Sequence, residues 1–222
     1  MALLSEETER FVRAMVPDRD DTLREMEAHG EAIGFPTVGP AVGGFLRLAA
    51  RMVDAERIFE FGSGFGYSAY WFAGALPDGG QIVLTEHDAD ELDDAREYLA
   101  AGGYADLAAF EAGDALETIE RYEGPFDVVL VDCRKRDYPD AFDAVREKVP
   151  EGGAIIADNA MQSSAQDFGA IVSVLEGDDP GDVDEETRGV VDYLRSVRDD
   201  PSFETVPIPL GEGIAVSYRT EA

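Results

Sequence analysis

Lysine is almost missing from this sequence: Lys135 and Lys148 are the only two in 222 residues, and every other strong base is arginine. Histidine is nearly as scarce, with His29 and His87 far apart, and Cys133 stands alone. A single cysteine excludes an internal disulfide and reads as a small buried thiol. Two separated histidines and one cysteine give zinc no cluster to occupy. No apolar run reaches the roughly 18 residues that a membrane-spanning helix requires. The opening MALLSEETERFVRAMV brings acids early and has neither the basic head nor the long apolar stretch of a secretory leader, so a cytoplasmic location is expected.

Positive charge as a whole is in deficit. The chain carries 48 Asp plus Glu against 18 Lys plus Arg, a net charge of −30. Such a surface repels nucleic acid and anionic lipid, and both are set aside as partners. The acids are dispersed along the chain instead of gathered in a tail. Dispersed acid with little lysine resembles proteins of salt-loving organisms; an acidic protein of an ordinary organism is the other reading. With 45% hydrophobic residues, the 222 positions can bury one substantial core, and a single domain over 1–222 is expected.

Glycine, by contrast, is concentrated where it can act. RIFEFGSGFGYS (57–68) is a short apolar run broken by Glu60, followed by Gly62, Gly64 and Gly66 and then the helical pattern YSAYWFAGAL. The order is strand, glycine turn, helix. Glycine suits a positive φ or a ligand lying against the backbone, and a helix start just beyond presents unpaired N–H groups to an anion. The dinucleotide fingerprint GxGxxG would need its third glycine where Tyr67 stands. An acid two residues before the first glycine suits a cofactor with an amino-acid tail, whose ammonium seeks a carboxylate. Another nucleotide, or a plain structural turn, stays open on this pattern alone. Tyr70, Trp71 and Phe72 read as core packing.

Before this turn, Leu3 to Val16, Thr22 to Ile33 and Ala41 to Val53 have helical spacing. Thr37, Val38 and Gly39 form a proline-flanked stretch expected to be extended, either covering a ligand or serving as a linker. After the turn, strand and helix alternate. QIVLTE (81–86) is a strand, and DADELDDAREYLAAGG a helix capped by Asp88 and stopped by Gly102 and Gly103. LAAFEAGDAL holds a weak strand, 125–132 is the strongest, and 152–159 is the fifth. A helix from Glu185 to Asp199 and a hairpin, FETVPIPL with GIAVSYR, complete the pattern. Alternation of this kind predicts a doubly wound, parallel α/β sheet whose ligands sit outside the carboxyl ends of the strands. Glu60, Glu86, Asp114, Asp132, Asp158 and Asn159 all stand at such ends.

Glu86 lies 20 residues beyond Gly66, where a carboxylate can accept from both hydroxyls of a ribose. His87 lies beside the same crevice or faces solvent; His29 has no partner spacing. Asp132, Asp158 and Asn159 form an all-oxygen set that suits Mg²⁺, with Mn²⁺ or Ca²⁺ as alternatives. Lys135, three residues past Asp132, is either a reactive amine or a loop lysine paired with local acids.

Taken together, EFGSGFGYS, VLTE, AGDAL, VLVDCRKRDYP and IIADN resemble the cation-dependent, class I O-methyltransferases related to catechol and caffeoyl-CoA O-methyltransferases. The resemblance implies a Rossmann-like, seven-stranded sheet, mostly parallel with one antiparallel edge strand, and helices 1–55 covering the cofactor site. It implies S-adenosylmethionine (SAM) contacts at Val38, Glu60, Gly62, Ser63, Ser68, Glu86, Asp114 and Ala115. It further implies metal ligation by Asp132, Asp158 and Asn159, Lys135 as catalytic base, and a small hydroxyl-bearing acceptor as partner, with a homodimer left open. Two departures stand out. Asp132-Cys133-Arg134-Lys135 replaces the D-A-D-K of many relatives, and an acidic stretch after Asn159 replaces a tryptophan-bearing loop.

Overall fold

The computed structural model describes residues 3–178 and 181–220. Five strands run parallel: β1 (Arg57–Phe61), β2 (Gln81–Glu86), β3 (Ala108–Ala112), β4 (Val128–Val131) and β5 (Ala154–Ala157). With β6 (Phe203–Ile208) and β7 (Ile214–Arg219) they form one seven-stranded sheet in the order β3-β2-β1-β4-β5-β7-β6. β7 is antiparallel to both of its neighbours, so the antiparallel strand lies second from the edge and β6 is outermost.

The sequence of the central strands follows from burial on both faces. VVLV of β4 and AIIA of β5 are buried throughout, the continuous apolar pattern that a covered parallel sheet demands. Alternate residues divide between two cores. Ile58, Leu84, Leu130 and Ile156 face α2 (Asp21–Ile33), α3 (Gly39–Met52), α4 (Tyr67–Ala73) and α5 (Ala89–Ala101), where Trp71 and Phe72 are buried, as their spacing predicts. Phe59, Val129, Val131 and Ile155 face α6 (Ala115–Ile119), α7 (Tyr138–Val145) and α9 (Glu185–Asp199). A further helix, α8 (Phe168–Glu176), packs Ile171 and Val174 on Val190 and Val191 of α9. α1 (Glu6–Met15) buries no residue of its own.

One expectation needs correction. The stretch Thr37-Val38-Gly39 is not extended: Val38 has helical φ and ψ and caps α3, with Pro40 in its first turn. Proline supplies a preset φ at a position whose N–H has no intrahelical partner. Within the acidic segment after Asn159, Asp167 accepts from Ala170 N–H and starts α8. Among the described residues, no helix is long and apolar enough to cross a membrane.

Candidate active site

The glycine turn is suspended from β2 and pressed against β4. Gly62 has φ 81°, and a Cβ there would stand 2.5 Å from the Asp132 carbonyl oxygen, so only glycine fits. Ser63 N–H donates to the Thr85 carbonyl at 2.9 Å and Gly64 N–H to Glu86 Oε2 at 3.0 Å. The other oxygen of Glu86 accepts from His87 and Asp88 N–H at 2.7 and 3.2 Å. Its carboxylate is thereby fixed at the end of β2 before any ligand arrives.

A cavity of about 590 Å³ opens at these strand ends. Val38, Gly62, Ser63, Ser68 and Glu86 line it, together with Asp132, Lys135, Asp158 and Asn159. Asp114 and Ala115 lie in an adjoining pocket of about 160 Å³ that shares Gly62, Glu86 and Asp132 with the larger one. Asp114 caps α6 by accepting from Leu116 N–H at 2.7 Å. His87 reaches this smaller pocket, whereas His29 is engaged by the Tyr98 hydroxyl at 2.8 Å.

Glu60 is placed differently. It has no solvent exposure and does not form the cavity wall, and neither carboxylate oxygen has a hydrogen-bond partner. Burial pushes its acid up to about 8; the Ser68 hydroxyl, near it but short of a formed hydrogen bond, pulls the other way, and the negative charge of Asp132 adds to the rise. A buried, unpartnered carboxyl is costly unless a cation or donor completes it. The ammonium of an amino-acid tail is such a cation.

The second constellation sits on β4 and β5. Asp158 is buried, one carboxylate oxygen has no partner, and desolvation beside Asp132 pushes it up to about 8. Desolvation also raises Asp132, against the pull of Lys135. Lys135, 9% exposed, donates to Asp132 Oδ1 at 3.1 Å and to the Cys133 carbonyl at 3.2 Å, 5.0 Å from the centre of the Tyr138 ring. Tyr138 in turn donates to the Asp158 carbonyl at 3.0 Å. Asn159 has a left-handed φ of 50°, a region that asparagine enters more readily than most residues, just beyond the end of β5. Cys133 is half-buried, and burial pushes its thiol up to about 12, leaving it inert near neutral pH. Among the described residues, no three His, Cys, Asp or Glu side chains gather as a metal cage. The oxygen set here is two carboxylates and an amide.

Four polar residues of the wall escape a sequence reading: Ser163, Ser164, Glu186 and Glu212. Glu186 Oε2 accepts from Lys135 N–H at 2.8 Å and so anchors the short turn of Lys135–Asp137. Arg134, which departs from the pattern of many relatives, is held at the cavity by Asp137 at 2.7 Å.

A family model described as O-methyltransferase matches residues 17–220. The chain belongs to the O-methyltransferase family. It is a SAM-dependent O-methyltransferase, and the fold and crevice described above are those of that class. Among its relatives, the catechol O-methyltransferase of Niastella koreensis is 28% identical over 163 residues, 71% of this chain and 74% of that protein. Tricin synthase 2 of Oryza sativa subsp. japonica is 26% identical over 95% of this chain and 74% of its own length. Among solved structures, the O-methyltransferase TomG of Streptomyces achromogenes, in complex with SAM, superposes with a TM-score of 0.85. It is 25% identical, with 98% of this chain and 100% of that one covered.

Proposed function

We propose that this O-methyltransferase acts on a hydroxyl oxygen of a small phenolic or catechol-like acceptor held by a divalent cation at Asp132, Asp158 and Asn159. The observation that carries the reading is the pair of carboxyls at the ends of β4 and β5, Asp132 half-buried and Asp158 buried with an unpartnered oxygen, beside a fixed amine. Hard oxygen donors of this kind suit Mg²⁺ or Mn²⁺, which keep open positions for acceptor oxygens. When bound, the cation supplies Lewis acidity toward the acceptor hydroxyl and SAM supplies the methyl group.

The residues of the chain do the rest. Val38, Gly62, Ser63, Ser68 and Glu86 form the wall against which the donor lies, with Asp114 and Ala115 in the pocket beside it. Glu60 answers the donor's ammonium from beneath that wall, and Glu86 answers its ribose. Lys135 takes the acceptor's proton, its amine positioned by Asp132 and the Cys133 carbonyl. The acidic wall disfavours acceptors bearing phosphate groups and favours neutral or cationic ones.

One observation favours a second reading, metal-independent transfer: the Lys135 amine already lies 3.1 Å from Asp132 and neutralises it in part. Chelation separates the two. With a panel of phenols and catechols and labelled SAM, excess EDTA should abolish turnover and Mg²⁺ or Mn²⁺ should restore it, with Zn²⁺ less effective. Full activity in EDTA would establish the metal-independent reading.

A further inference from the structure

We infer that Glu212 is a positioning residue of the cation site, holding the Asn159 amide so that its oxygen faces Asp132 and Asp158. The inference rests on the reading that these three residues bind a divalent cation. Asn159 Nδ2 donates to Glu212 Oε2 at 2.5 Å. A carboxylate can only accept, whereas an amide offers NH₂ on one side and oxygen on the other. Glu212 therefore decides which side of Asn159 is turned toward it, and the ligating oxygen is left for the crevice. Without this partner, the amide could present two N–H donors to a cation, which repel it.

The hairpin turn that carries Glu212 is fastened to the same segment it orients. Gln162 N–H donates to the Glu212 carbonyl at 2.8 Å and Ala160 N–H to the Gly213 carbonyl at 2.7 Å. Gly213, at φ 90°, packs so closely that a Cβ would lie 2.5 Å from Met161 Cβ. Two backbone bonds thus bracket the side-chain bond, and Glu212 lines the cavity from the far end of the chain. Its charge also bears on both Asp132 and Asp158. The same arrangement of ligand and acceptor orients many metal-bound side chains.

Mn²⁺ binding followed by electron paramagnetic resonance tests this without turnover, on wild type, Glu212→Gln, Asn159→Ala and the double variant. Glu212→Gln keeps the shape but presents either an oxygen or an NH₂, so it no longer fixes which side of Asn159 faces it, and Mn²⁺ affinity should fall about 10- to 100-fold. The fall should persist in 1 M KCl, where the Debye length is about 3 Å, and the double variant should bind no worse than Asn159→Ala alone. Unchanged affinity in Glu212→Gln would overturn the inference. So would a loss that vanishes in 1 M KCl, which marks a long-range charge effect, or losses that add in the double variant, which mark a direct ligand. A matching loss of SAM binding would make Glu212 a fold element and overturn it as well. If wild type itself binds no Mn²⁺, the metal reading falls and takes the inference with it; wild-type binding with an unaffected variant removes the inference alone.

Discussion

Lys135 is held by two acceptors, Asp132 Oδ1 and the Cys133 carbonyl, so its amine is delivered to one place. If it removes the acceptor's proton, arginine cannot replace it, because guanidinium keeps its proton near neutral pH. Lys135→Arg and Lys135→Ala should both lose about 10²–10⁴-fold in kcat while SAM affinity holds. Rescue by arginine would leave Lys135 a positioning charge. Glu60 makes a different prediction. With its acid at about 8, it is mostly protonated at pH 7 in the free protein, and a SAM ammonium arriving beside it should drive the proton off. Metal-free titration calorimetry in phosphate and Tris at pH 7 should show release of up to about one proton per SAM, lost in Glu60→Gln. Buffer-independent heats would mean that Glu60 stays neutral throughout. Asp132, Asp158 and Asn159 were legible because a polar residue closing an apolar strand has few places to point. Glu212 was not: its partner lies 53 residues earlier in the chain, and nothing in GEG names Asn159.

α9 reaches the site through a glycine. A Cβ on Gly189 would clash with the Lys135 carbonyl oxygen and stand 2.5 Å from Arg136 Cα, so the helix lies directly on the turn that carries the amine. Gly189→Ala must push that turn away, at about 1–3 kcal/mol for an overpacked contact. The expected result is a lower melting temperature and reduced kcat with SAM affinity near wild type; unaltered kcat would show that the turn moves without carrying Lys135. The elements themselves were readable to different depths. β1, β2, β4 and β5 declare themselves by apolar runs buried on both faces, and α5 by Asp88 and Gly102 at its two ends. α7 and α8 are short, eight and nine residues, and lie among turn-forming and acidic residues, so their periodicity had no length in which to show. α2 stops at the left-handed Gly34, and α3 begins at Gly39, two residues before the apolar spacing shows, because Pro40 fits a first helical turn whose N–H needs no partner.

At the scale of the whole molecule, net charge is the dominant fact. At −30 the folded chain repels itself, and ions relieve this as the Debye length shrinks from about 10 Å at 0.1 M to about 3 Å at 1 M salt. Melting temperature followed by circular dichroism should rise between those two concentrations of KCl. A flat or falling curve would argue against adaptation to salt. The sheet order carries a consequence for how the molecule is made. β7 is synthesised after every other strand of the sheet, yet its place is inside, between β5 and β6. Until it emerges from the ribosome, AIIA of β5 has an open edge, and β6 has no strand to join. The nascent chain therefore waits with its most apolar border exposed, and one late insertion both seals that border and brings the last wall of the cavity into place.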